Sequence, residues 1–98
     1  MGKKVAIITG SATGVGAATA VLLAEKDCNV VINYTRSKDE AMETAKLAEE
    51  QGAETIVIQA DVSKDDECQM MVTEAINKWG RIDYLVNNAG RTKFNPFE

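Results

Sequence analysis

Four short apolar runs recur along the chain: Val5-Ala6-Ile7-Ile8, Val30-Val31-Ile32, Ile56-Val57-Ile58 and Tyr84-Leu85-Val86. Each is rich in β-branched residues and nearly continuous rather than alternating. Short continuous runs of this kind mark strands buried on both faces, as in a parallel sheet. The segments between them carry helical spacing. The first follows Gly14-Val15-Gly16, with small Ala17, Ala18, Ala20 and Ala24 and large Val21, Leu22 and Leu23. A helix this apolar is expected to be buried, its small residues lying close against a sheet. The second opens at Ser37-Lys38-Asp39-Glu40, the S-x-x-E pattern in which Ser and Glu side chains each satisfy an orphan backbone N–H. Ala41, Ala45 and Ala48 then repeat on one face, and Gly52 supplies a stop. The third is expected from near Ser63, with Cys68, Val72, Ala75, Ile76 and Trp79 as its apolar stripe and Gly80 as its end.

The order is therefore β-α-β-α-β-α-β. Parallel strands joined by right-handed helical crossovers give an open, doubly wound α/β sheet. No repeat, linker or low-complexity tract divides the chain, and Arg91 to Glu98 reads as a loop. At 98 residues there is room for one domain at most. With 11 Lys+Arg against 15 Asp+Glu the net charge is −4 and no basic block exists, which argues against nucleic acid as a partner. The apolar runs are too short to span a bilayer. Met1 to Ile8 resembles a signal peptide only superficially, because Thr9-Gly10-Ser11 ends the apolar stretch early. The absence of histidine excludes His-dependent triads. Cys28 and Cys68 form no C-x-x-C pattern and read as free, partly buried thiols of a cytoplasmic protein.

Thr9-Gly10-Ser11-Ala12-Thr13-Gly14-Val15-Gly16 lies where the first strand hands over to the first helix. A helix N-terminus carries unpaired N–H groups and partial positive charge, so it attracts a pyrophosphate. Glycines permit the tight turn, the approach of backbone to phosphate and the packing of helix near strand. The spacing is G-x-x-x-G-x-G, not the generic G-x-G-x-x-G. With Thr9 in front it resembles the T-G-x-x-x-G-x-G motif of the short-chain dehydrogenase/reductase family. Two further motifs agree: Asp61-Val62 after the third strand, and Asn87-Asn88-Ala89-Gly90 after the fourth. The resemblance covers residues 9 to 90.

That resemblance implies a Rossmann-type doubly wound parallel sheet, here its first half, with strand order 3-2-1-4. Residues 1–98 then form the N-terminal dinucleotide-binding part of one domain, apparently truncated. It implies cofactor contacts from Gly10, Ser11, Thr13, Gly14, Val15 and Gly16. It adds Asp61 and Val62 near the adenine, and Asn88, Ala89 and Gly90 along the cleft. The residues by themselves leave Asp61 open between capping a turn and meeting an adenine amino group; the family favours the second. Asn87 and Asn88 by themselves fit turn residues, since Asn tolerates unusual dihedrals; the resemblance implies instead that they tie the fourth strand to its neighbours and line the cofactor cleft.

NAD-preferring sites place an acid about 20 positions after the glycine turn, on the ribose 2′-OH. Here the second strand ends Asn33-Tyr34-Thr35-Arg36-Ser37, with no acid before Asp39. Arg36 suits a 2′-phosphate, with Thr35 assisting, so NADP(H) is favoured over NAD(H). The family's proton-transfer groups, a Ser and a Tyr-x-x-x-Lys pair, lie beyond N-N-A-G and are absent from these 98 residues. Tyr34-Thr35-Arg36-Ser37-Lys38 fits the spacing but straddles a strand end and a helix start, so it reads as coincidence. The expectation is an oxidoreductase acting on a small carbonyl or alcohol substrate, similar to members that reduce 3-oxoacyl groups on acyl carrier protein. The complete protein is expected to be a homo-oligomer, and this chain alone non-catalytic. The alternatives are a non-catalytic dinucleotide-binding module, or an S-adenosylmethionine-dependent enzyme, which leaves N-N-A-G unexplained.

Overall fold

Alternation along the first strand, β1 (Lys4–Ile8), decides the layers. Successive side chains of a strand point to opposite faces. Val5 and Ile7 enter one core, Ala6 and Ile8 the other, and all four are completely buried. A computed structural model describes residues 3–12 and 14–88. Its further elements are α1 (Gly14–Glu25), β2 (Cys28–Tyr34), α2 (Lys38–Glu50), β3 (Thr55–Gln59), α3 (Asp65–Trp79) and β4 (Tyr84–Val86). The four strands form one parallel sheet in the order β3-β2-β1-β4, as expected of half a Rossmann-type fold.

Helices α1 and α2 cover one face, burying Ala6, Ile8, Val30 and Ile32 with their own Ala20, Ala24, Ala41, Ala45 and Ala48. Helix α3 covers the other, burying Val5, Ile7, Val31 and Ile58 with Cys68, Met71 and Ala75. This two-sided cover is why the inner strands read as unbroken apolar runs. The outer strands have one neighbour each and are only partly buried. No helix among the described residues is long and apolar enough to cross a membrane.

Four local expectations need correction. Helix α1 is not buried all round. Gly16, Ala20 and Ala24 make one narrow buried stripe, while Val15 is 74% and Leu22 50% exposed. Sheet and α2 meet only one side of the helix. Ser37 does sit at the N-cap of α2, but its side chain makes no capping bond; acidic Asp39 and Glu40 in the first turn complement the helix dipole instead. Helix α3 begins at Asp65 rather than Ser63, because Ser63 is held in a turn by Asp61. Its buried stripe runs through Met71, and Ile76 is 44% exposed. Gly80 does end α3, in the left-handed conformation with its N–H on the Ile76 carbonyl.

Candidate functional site

In parallel α/β sheets, ligands bind beyond the carboxyl ends of the strands, and a switch in strand order opens a crevice there. Strand β1 is that switch point: the chain goes first to β2 on one side and later to β4 on the other. The motif segments line up along this edge in strand order. Asp61-Val62 follows β3, Thr35-Arg36 follows β2, the glycine turn follows β1, and Asn87-Asn88 follows β4.

The glycine turn is built by close approach. Gly10 and Gly14 hold φ of +62° and +60°, the left-handed region that glycine enters without strain. Gly16 serves packing. A Cβ there would lie 2.2 Å from the Gly10 carbonyl oxygen and 2.6 Å from Asn88 Nδ2. At Gly14 a Cβ would meet no atom of the described residues within 4 Å. The first turn of α1 carries no acidic residue, whereas α2 and α3 both do. Among the described residues no first-turn acid offsets the positive end of α1, and that suits an anion from outside.

Side-chain bonds fix the turn from both flanks. On the β4 side, the Thr9 N–H donates to the Val86 carbonyl at 3.0 Å and Thr9 Oγ1 accepts the Asn88 N–H at 2.9 Å. Asn88 Nδ2 donates to the Gly10 carbonyl at 3.2 Å. On the β2 side, Ser11 Oγ donates to the Ile8 carbonyl at 2.7 Å and accepts the Asn33 N–H at 2.8 Å. Asn33 Oδ1 takes the Gly10 N–H at 2.9 Å. Thr44 Oγ1, from α2, donates to the Ala12 carbonyl at 2.9 Å.

The expected residues thus fall into distinct roles. Ser11 is fully buried with its hydroxyl committed to the turn itself. Val15 projects into solvent, and Thr35 and Arg36 are exposed beyond β2. Asp61 Oδ1 accepts both the N–H and the hydroxyl of Ser63, at 2.9 and 2.6 Å, so the turn role is real. These bonds hold its carboxyl below the usual carboxylate range. Its Oδ2 takes no bond among the described residues. The Asp61 N–H is itself held by Glu67 Oε1 at 2.7 Å. Val62 buries its side chain under α3, and its carbonyl accepts the Cys68 thiol at 3.3 Å. Thr13, Ala89 and Gly90 lie outside the described residues.

Sequence reasoning missed Asn33 and Thr44. Asn33 was legible only as a polar residue ending an apolar strand, and Thr44 as one polar break in an alanine face. The Tyr34–Lys38 pair does straddle the end of β2 and the start of α2. Tyr84 opens β4 at the opposite end of the sheet, where Lys4 Nζ donates to its hydroxyl at 3.2 Å.

Comparison with known proteins adds an independent finding. The family model described as short chain dehydrogenase matches residues 4–98. A short-chain dehydrogenase/reductase homolog, YusS, of Bacillus subtilis is 41% identical over 97% of this chain and 87% of its own length. The 3-oxoacyl-(acyl-carrier-protein) reductase FabG of Staphylococcus epidermidis is 44% identical over 94% of this chain but only 38% of its own length. Among solved structures, a short-chain dehydrogenase/reductase from Burkholderia xenovorans superposes with a TM-score of 0.88 at 39% identity. That match covers 94% of this chain and 38% of the other.

Proposed function

Because the chain belongs to the short-chain dehydrogenase family, we propose that its strand-end edge holds a nicotinamide dinucleotide, NADP(H) in preference to NAD(H). The complete protein then moves hydride between that cofactor and a small carbonyl or alcohol substrate, 3-oxoacyl-(acyl-carrier-protein) being the one named for its FabG relatives. The observation that carries the reading is the end of α1. It is a helix N-terminus with no acid in its first turn, set behind a glycine turn where a Cβ on Gly14 would meet no atom of the described residues. When bound, the cofactor supplies or accepts the hydride. The chain's own residues do the holding. Backbone N–H groups at the start of α1 meet the pyrophosphate, and Asp61 Oδ2 and the Val62 backbone meet the adenine. Arg36, with Thr35, meets the 2′-phosphate, for which a guanidinium is well shaped.

No proton-transfer pair accompanies this edge within the described residues. Tyr84 is spent at the far end of the sheet, and Tyr34 packs against the α1/α2 core. We therefore expect the 98 residues to bind cofactor without turnover. Buried free Cys28 and Cys68 are in keeping with a cytoplasmic location.

Titration with NADPH and NADH, followed by nicotinamide fluorescence, tests the preference. The wild-type chain is expected to bind NADPH more tightly. Arg36→Ala is expected to weaken NADPH about tenfold, an exposed charge-assisted bond being worth roughly 1.4 kcal/mol, and to leave NADH unchanged. Equal weakening of both would refute the assignment of Arg36.

A further inference from the structure

Asn33 bonds to two separate segments of the candidate site through a single side chain. It stands next to last in β2 and is 1% exposed. A carboxamide offers an acceptor oxygen and two N–H donors. Oδ1 accepts the Gly10 N–H at 2.9 Å, and Nδ2 donates to the Ala60 carbonyl at 3.1 Å, immediately before Asp61. A longer contact runs from Nδ2 to the Tyr34 carbonyl at 3.5 Å. The main chain of Asn33 adds two bonds to Ser11, donating to Oγ at 2.8 Å and accepting the Ser11 N–H at 3.0 Å. The orientation of the amide is not free. Turned over, it would set NH₂ against the Gly10 N–H and oxygen against the Ala60 carbonyl.

Asn33 also stands near the place where an acid meets the ribose in NAD sites, about 20 residues past the turn. Its side chain runs the other way, into the protein, and is consumed there. We infer that Asn33 is a positioning residue that holds the glycine turn and the Ala60–Val62 segment at one fixed separation. A ligand reaching both segments at once thereby gains over its separate halves. This rests on the dinucleotide reading above. The physical reason is pre-organisation: two half-sites held at the right spacing spare the ligand the cost of ordering them.

The side chain makes separable predictions. Asn33→Asp keeps an acceptor for the Gly10 N–H but sets a carboxylate against the Ala60 carbonyl. Asn33→Ala strands both backbone groups, each of which then lacks its buried partner. Backbone amide NMR of the free chain reads these directly. In N33A, resonances at Gly10–Ala12 and at Ala60–Val62 should both move. In N33D, the Gly10 amide should stay protected from exchange while Ala60–Val62 moves. Titrations with ADP, adenosine and inorganic pyrophosphate supply the second readout. Both variants should weaken ADP, which spans the two segments, about tenfold. Adenosine and pyrophosphate alone should be nearly unaffected. The NADPH-to-NADH preference should not shift in N33D, because that position faces inward.

Equal weakening of all three ligands would reduce Asn33 to a merely structural residue and overturn the inference. So would movement confined to one segment in N33A, or an NADH preference gained in N33D. If N33A does not fold, N33D alone decides by the same amide pattern. If the wild-type chain binds neither ADP nor NADPH, the dinucleotide reading fails, and the free-chain spectra still decide whether Asn33 ties the two segments.

Discussion

Replacing Gly16 with alanine tests the packing that makes the glycine turn possible. The added Cβ would sit 2.2 Å from the Gly10 carbonyl oxygen, and that oxygen is backbone. It would also sit 2.6 Å from Asn88 Nδ2, whose bond to the same oxygen it must displace. Forcing atoms into a packed site costs about 1–3 kcal/mol. Losing a hydrogen bond adds roughly 1 kcal/mol. Alanine returns about 1 kcal/mol through its better helix propensity, since Gly16 lies within α1. The net expectation is a loss of about 2 kcal/mol, or a fall in melting temperature of roughly 10 °C for a chain this size. Gly14→Ala is the control. It meets no atom within 4 Å but sits at φ +60°, so it carries only backbone strain of about 1–2 kcal/mol. Thermal unfolding followed by circular dichroism, with NADPH titration at a temperature where both variants are folded, separates the two. G16A should lose binding even when folded, because α1 must move away from the turn; G14A should keep more of it. A G16A chain with wild-type stability and affinity would refute the close approach of α1 to the glycine turn.

Other expectations follow from particular groups. Asp83 accepts both arms of Arg81, at 2.8 and 2.7 Å, and the Val5 N–H at 2.8 Å, and these hold its carboxyl below the ordinary range. A carboxyl lowered in the folded state stabilises fully above its unfolded value of about 4, and that stability is lost as pH falls through the lowered folded value. Urea unfolding at pH 7 and pH 3 should therefore show a smaller pH dependence in Asp83→Asn than in wild type; parallel profiles would contradict this. Cys28 and Cys68 are 2% and 3% exposed, and burial pushes both thiols up. A thiol-reactive dye should label neither in the native chain and both in denaturant. Fast native labelling of either would mean that the corresponding core is open.

The parallel sheet was legible because β1 and β2 are buried on both faces, and their apolar runs leave no other easy reading. The strand order came from the resemblance, since no periodicity distinguishes β4 beside β1 from β4 beside β3. Local errors arose where tertiary packing overrides a pattern. Met71 displaced Ile76 from the α3 stripe because the face of a helix is chosen by the layer it meets, not by its own hydropathy. Helix α1 looked buried all round because alanines, valines and leucines do not reveal which side a neighbour covers. The site was legible as motifs but not as a network. Ser11 was legible as part of the glycine motif, whereas the bridge its hydroxyl makes between Ile8 and Asn33 was not. Asn33 was invisible because a long-range partner such as Ala60 leaves no mark in local sequence.

A nicotinamide dinucleotide held at the carboxyl edge of this sheet would be felt by the backbone there. The most direct test is a backbone amide spectrum of the chain titrated with NADPH. Saturable shifts are expected at Gly10–Gly16, Arg36 and Asp61–Val62, with the far end of the sheet around Lys4 and Tyr84 unmoved. No saturable shift, or shifts confined to that far end, would contradict the account.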